Sequence, residues 1–160
     1  AEHGRGQRNP LYVCLAMERV AQRYPKARLH LYNCTDKKMG ETFKALIHHA
    51  RWSTFIRTLN GPVADAEVNL LYNRADIAVS GLFPLYARSI EAFGAGKPFI
   101  GAGYKDPEYP YRCAFDPDSM ADAICRAWED RSFNARQWAE RKHDVRETVK
   151  QCVHIYERYV

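Results

Sequence analysis

Apolar and polar positions follow two rhythms along this chain. Over residues 10–24, Val13, Ala16, Met17, Val20 and Tyr24 recur at helical spacing, with Glu18, Arg19, Gln22 and Arg23 opposite. Asn9-Pro10 supplies a cap and a preset first turn, and Pro25 stops the helix. Residues 27–33 switch to a period of two, with Leu29 and Leu31 on one face, which predicts a strand. Residues 39–51 return to the helical period through Phe43, Leu46, Ile47 and Ala50. A short strand over 54–59 follows, closed by Asn60-Gly61-Pro62, and then a helix over 64–73 whose apolar face is Leu70, Leu71 and Tyr72. Residues 76–80 and 98–102 are continuous apolar runs, the pattern of strands buried on both faces. Between them, 86–95 reads as a helix ended by Gly96. Residues 112–115 are a candidate for one last short strand. Asp116-Pro117 caps a helix carrying Met120, Ile124, Ala127 and Trp128. The tail over 132–160 is helical in propensity, in two pieces, with Trp138, Val145, Val149, Val153 and Tyr156 spaced for burial.

Strand and helix thus alternate at least four times. That order predicts right-handed crossovers, hence an α/β fold with a Rossmann-like parallel sheet covered by helices on both faces. Ligands of such sheets bind at the carboxyl ends of the strands, near a switch in strand order. The loops to watch are therefore 1–9, 33–38, 60–63, 81–86 and 101–108. The chain opens on a loop and a helix, whereas a doubly wound unit opens on a central strand. The expectation is that this first strand is missing or supplied by something else, as in a domain cut from a longer protein.

Composition narrows the classes. The 160 residues make one domain, with 46% hydrophobic and 27% charged residues and 12% aromatics, ordinary values for a globular domain. No stretch approaches the roughly 20 apolar residues of a membrane span, and no basic-then-apolar leader is visible. Fibrous, disordered and membrane-spanning classes are thereby excluded. The net charge of +5 is uneven: residues 1–30 carry six cations against two anions, and 63–125 carry five against nine. A basic first third suits an anionic ligand or surface, or is a solvated face. Its aromatics Tyr12, Tyr24 and Tyr32 fall at core spacing instead of forming a stacking row, which argues against nucleic-acid binding. The five cysteines are odd in number and lack C-x-x-C spacing, as expected of reduced thiols in a cytoplasmic protein. The adjacent His48 and His49 point in different directions on a helix and make poor joint metal ligands.

The run LLYNRADIAVSGLFPLYARSIEAFGAGKP, residues 70–98, resembles the donor-binding domain of retaining GT-B glycosyltransferases of family four. In that family a helix ending L-Y-x-x-A-D leads into an apolar strand ending P-S, then a loop and helix reading E-G-F-G-x-x-x-x-E-A-M-A-x-G-x-P. Leu71-Tyr72, Ala75-Asp76, Ser80, Glu91-Ala92, Ala95-Gly96 and Pro98 hold the same frame, with Phe93-Gly94 in place of Met-Ala. Residues 59–63 resemble the family's F-x-G-x-V, 116–128 its D-P-x-x-L-A-x-A-I helix, and Gln7-Arg8-Asn9-Pro10 its E-K-N-P turn. Singly each piece is weak; their order and spacing carry the likeness, and fold alone does not license a function.

The resemblance implies a nucleotide-sugar donor, UDP- or GDP-linked, and neither a metal nor another cofactor. A donor of this kind needs cations or backbone N–H groups for its diphosphate, a carboxylate for its ribose diol and a flat slot for its base. Glu91 aligns with the second glutamate of the family's E-x7-E motif, which holds the ribose hydroxyls. Phe83 stands where the first glutamate belongs, and phenylalanine neither accepts a hydrogen bond nor carries charge. Pro84 and Tyr86 replace the family's glycines, while Tyr86 and Ala87 can still present N–H groups to phosphate at the start of their helix. Arg8 takes the place of the loop lysine. The family's arginine falls at His3, so Arg5 substitutes for it or the arginine lies upstream. Gly61 and Val63 would line the base through their backbone. The implied protein is a glycosyltransferase transferring a hexose-type sugar, of which residues 1–160 form the single donor domain and 132–160 a helical tail. The acceptor-binding domain of the same longer protein is its expected partner. The expected location is the cytoplasm, with peripheral contact at the inner membrane face allowed. The alternative is a non-catalytic scaffold that has lost the first motif acid.

Overall fold

The computed structural model describes residues 10–32, 50–59, 63–80, 87–104, 106–130 and 132–158. In chain order the elements are α1 (Pro10–Arg23), β1 (Leu29–Tyr32), α2 (Ala50–Ser53), β2 (Ile56–Leu59), α3 (Asp65–Arg74), β3 (Ala78–Ser80), α4 (Ala87–Gly94), β4 (Phe99–Gly101), α5 (Pro117–Glu129), α6 (Ala135–His143) and α7 (Val145–Glu157). All four strands expected from the sequence are present and shorter by one to two residues at their ends. Residues 112–115 do not form a strand of their own; Cys113 makes only an isolated parallel bridge to Ala102. Most of the helix expected over 39–51 lies outside the described residues, and only its last turn is seen, as the start of α2.

The strands form two parallel pairs. β1 pairs with β2 in the register Leu29↔Ile56 to Tyr32↔Leu59, and β3 pairs with β4 from Ala78↔Phe99 to Ser80↔Gly101. Among the described residues no strand joins one pair to the other. Parallel strands require crossovers, and helices supply them. The α/β, Rossmann-like class read from the alternation is the class observed.

One contiguous core holds both pairs. Val13, Cys14, Ala16, Met17 and Val20 bury one face of α1, and Met120, Ala121, Ala123, Ile124 and Cys125 bury the facing side of α5. The two helices are tied at their rims: Arg19 pairs with Asp118, Arg23 reaches Glu129 at 2.6 Å, and the Tyr24 hydroxyl donates to the same Glu129. Asp116 starts α5 as a true N-cap, its carboxylate accepting from the Ser119 N–H at 2.7 Å. Trp52 anchors α2 from the other side, its ring N–H donating to Glu18 at 3.4 Å.

A second, aromatic part of the core lies where β4 meets α6. Phe93, Tyr104, Tyr111, Phe133 and Trp138 surround the Tyr109 ring, most of them edge to face, and Phe99 meets Phe93 in the same way, an arrangement favoured by the ring quadrupoles. The segment 104–111, read from sequence only as a loop, thus contributes three buried side chains. Burial pushes the Tyr109 and Tyr111 phenols far above their usual range, so both stay protonated.

Two expectations about burial are corrected. Trp138 is buried, but Val145, Val149, Val153 and Tyr156 are exposed, Tyr156 at 73%. Their spacing does form one stripe on α7, yet no described residue covers it. Tyr12, placed at core spacing, is also on the exposed side of α1 at 38%. Both errors share a cause: periodicity identifies an apolar face, not what lies against it.

Candidate functional site

In each parallel pair the carboxyl ends of the two strands lie side by side, Tyr32 beside Leu59 and Ser80 beside Gly101. The segments leaving those ends are the ones a ligand of such a sheet meets. Two of them lead into described candidate residues. Val63 follows β2 and stands half-buried just before Ala64, the N-cap of α3. Glu67 reaches back to accept from the Ala64 N–H at 3.2 Å, so the chain between β2 and α3 is pinned at its helix end.

Ala87 opens α4 and Glu91 sits one turn later, so the two share one face of that helix. Ser89, Ala92 and Phe93 take the opposite side and are buried, Ser89 at 1% and the other two at 0%. That clamp fixes the rotation of α4, and it leaves Glu91 half-buried on the side away from the core. The helix end is fixed as well. Gly96 adopts φ of 76°, its N–H bonds to the Phe93 carbonyl at 2.8 Å, and the Lys97 N–H bonds to Ala92 at 2.9 Å. This left-handed close is the C-terminal stop read from the sequence, and it turns the chain directly into β4. Lys97 spans back to the Asn73 carbonyl at 3.3 Å, joining the end of α3 to the same turn.

Arg5, Arg8, Gly61, Phe83 and Tyr86 lie outside the described residues. The structure therefore relates Glu91 to Ala87 on one helix face, and places Val63 at the exit from a different strand.

A further feature escaped the sequence. An open cleft of about 330 Å³ lies between α4 and α6 and is lined by Ile90, Gly94, Arg136, Ala139, His143 and Arg146 among others. It opens on the Ile90 side of α4, and Glu91 does not line it. Its arginines are engaged: Arg136 with Glu140 at 3.1 Å, and Arg146 with both carboxylate oxygens of Asp144. That pairing, with the Arg146 backbone N–H, holds the Asp144 carboxyl down at about 2. His143 Nε2 is buried there with no partner among the described residues, and burial lowers the imidazole below its ordinary range. The i,i+4 spacing of Arg136 and Glu140 was the one signal in the sequence; the cleft itself depends on how α6 packs on α4. Among the described residues no group of three or more His, Cys, Asp or Glu side chains is arranged to hold a metal ion. Cys14, Cys113, Cys125 and Cys152 form no disulfide among the described residues, and Cys34 lies outside them.

No family model matches this sequence, and no curated protein matches it. Among solved structures the chain is similar to the pneumococcal O-GlcNAc transferase GtfA, determined in complex with UDP and GlcNAc. The TM-score is 0.65 at 14% identity, over 92% of this chain and 34% of that one. The chain thus spans about a third of the length of the protein it superposes on. The fold it shares with that protein is a Rossmann-like α/β half domain.

Proposed function

We propose that this chain is the nucleotide-sugar-binding domain of a retaining glycosyltransferase resembling family four, acting on a hexose-type donor linked to UDP or GDP. The observation that carries the reading is Glu91. It stands half-buried on α4, the helix that follows the carboxyl end of β3, in the frame where the family keeps its ribose-binding glutamate. The similar structure of a transferase holding UDP supports the nucleotide part of the reading. In this reading Glu91 accepts both ribose hydroxyls, the first turn of α4 from Ala87 gives N–H groups to the diphosphate, and Val63 with Gly61 lines the base. Arg5 and Arg8 add cationic contacts, and Tyr86 a further N–H. The acceptor domain of a longer polypeptide completes the cleft, so the isolated domain binds donor weakly and turns over little. Its location is cytoplasmic, with peripheral contact at the inner membrane face, and its chemistry uses no metal.

Phe83 favours a second reading. A position that carries the motif acid in the family here holds a side chain without charge or hydrogen-bond capacity, as a binding module that no longer transfers sugar would. Calorimetry with UDP and GDP separates the readings. A charged hydrogen bond is worth roughly 1.5–3 kcal/mol, so Glu91→Gln weakens nucleotide binding about ten-fold or more. Phe83→Glu leaves it nearly unchanged, because that position faces the sugar in the family. Equal binding by Glu91→Gln and wild type rules out the ribose role. Absence of any nucleotide binding at millimolar concentration rules out the donor-domain reading.

A further inference from the structure

We infer that α7 pairs with α7 of a second copy of this chain, antiparallel, across a two-fold axis beside Cys152. This pairing is independent of the nucleotide reading and gives the exposed stripe a defined occupant.

The helix itself calls for a cover. α7 runs 13 residues, Val145–Glu157, and every side chain described on it is exposed. An isolated helix of this length is marginal in water even when rich in alanine. This one carries Val145, Val149, Val153 and Ile155, whose branched side chains make poorer helix formers. Its first turn is held, since the Asp144 carboxylate accepts from the Arg146 N–H at 2.9 Å and grips the same residue's guanidinium. A cap secures one turn only. Most helical stability in folded proteins comes from packing an apolar face, and no described residue packs on this one.

Charge selects the occupant. Val145, Val149, Cys152 and Tyr156 recur at i, i+4, i+7 and i+11, the seam of a helix pair. All four are exposed, and Val153 widens the seam on one side. The two margins of the seam differ. Beside Val153 stand Arg146 and Lys150 toward the start of the helix and Glu157 at its end, whereas the Ile155 margin carries no charge. A second copy laid parallel sets the charged margin against the uncharged one. Laid antiparallel, it sets the charged margin against itself in reverse order. Arg146 then comes opposite Glu157 of the second copy, and the symmetry axis repeats the pair. The same axis brings Val149 level with Tyr156 of the second copy and the two Cys152 thiols together. Lys150 reaches Glu147 on the outer face at 2.6 Å, which leaves Arg146 as the cation nearest the seam. Arg146 bonds Asp144 through Nε and Nη2, so Nη1 keeps its N–H groups for a second carboxylate.

Size sets the strength. A 13-residue helix offers a seam about 20 Å long, which buries less than the roughly 800 Å² per partner of a stable interface. The pair is therefore weak and exchanging, monomeric at micromolar concentration and dimeric toward millimolar.

Sedimentation equilibrium of the 160-residue chain under reducing conditions, from about 5 μM to about 1 mM, tests this. The expected mass rises from one copy to two, with half-association at roughly 0.1 mM. Val149→Glu, which puts a charge in the seam, abolishes the rise. Glu157→Arg weakens association about ten-fold or more, because it sets like charges opposite each other and the axis makes every change twice. Both variants keep the wild-type Tm at micromolar concentration, since α7 lies outside the core. Diamide, which takes up the two electrons and two protons given by a pair of thiols, converts the wild type to a reducible dimer and leaves Cys152→Ser monomeric. Parallel copies would link through Cys152 as well, so a cysteine at position 149 decides the orientation. Val149→Cys in the Cys152→Ser background links in a parallel pair and stays unlinked in an antiparallel one. A monomer at about 1 mM overturns the inference and leaves the stripe to a different cover. So does a dimer that Val149→Glu or Glu157→Arg leaves intact, or one that Val149→Cys locks.

Discussion

The Tyr109 hydroxyl closes both backbone groups of Phe99, accepting from its N–H and donating to its carbonyl. One phenol thereby does what a neighbouring strand would do for the outer edge of β4. The bond is buried, and Tyr109 is 1% exposed, so water cannot take its place. Tyr109→Phe keeps the ring and its aromatic neighbours but leaves two buried backbone groups unpaired. Each such group costs about 1–3 kcal/mol. Urea denaturation is expected to show a loss of roughly 2–4 kcal/mol, against little change for Tyr12→Phe on the exposed side of α1.

Gly94 and Gly96 are two residues apart and make opposite predictions. Gly94 is the last residue of α4, and a Cβ there meets nothing within 4 Å. Gly94→Ala is expected to stabilise by about 0.5–1 kcal/mol, since alanine is the better helix residue. A Cβ at Gly96 also meets open space, but φ is 76°. Gly96→Ala is expected to cost about 1–2 kcal/mol through backbone strain alone. Thermal melts of the two variants should move in opposite directions.

His143 gives the fold a pH dependence with a defined sign. Burial lowers its pKa below the 6.5 of a free imidazole, the nearby Asp106 opposing that and Lys142 adding to it. The unfolded chain therefore binds a proton at a pH where the folded chain does not. The contribution to stability is full above 6.5 and is lost as pH falls through the folded value. Denaturation midpoints of wild type and His143→Gln, compared at about pH 7.5 and about pH 5, are expected to show the smaller drop in the variant.

The two ends of the tail differ in what they hold. Trp138 on α6 is buried against Tyr109 and Phe133, with Arg141 and Lys142 each over its ring at 5.3 and 5.2 Å. Trp138→Ala is expected to cost about 3–5 kcal/mol. Val149 on α7 is 54% exposed, and Val149→Ser should fall within about 0.5 kcal/mol of wild type. A large loss at Val149 would mean that the stripe on α7 is covered in solution.

The sheet was legible because its strands carry their signal locally. Residues 76–80 and 98–102 are apolar without interruption, and such runs admit few alternatives between helices of clear period. The Asp116-Pro117 cap and the Gly96 stop were readable for the same reason, since each acts within one turn. What the sequence hid is what depends on partners far along the chain. The role of Tyr109 needs Phe99 beside it, the cleft beside Ile90 needs α6, and the exposure of Val145, Val149 and Val153 needs knowledge of what faces α7. For the site, Glu91 could be placed on its helix because Ala92 and Phe93 on either side of the turn are core residues. Its relation to Val63 belongs to loop geometry that spacing does not encode.

The clasp between α1 and α5 has a consequence for how the protein is made. Tyr24 and Glu129 are 105 residues apart, and the apolar side of α1 is sheltered chiefly by α5. During synthesis the ribosome releases the first helix long before its cover exists. At about 5–20 residues per second that interval is roughly 5–20 s. For that time Val13, Met17 and Val20 face solvent or a chaperone, and residues 117–129 must be made before the first helix is safe from aggregation.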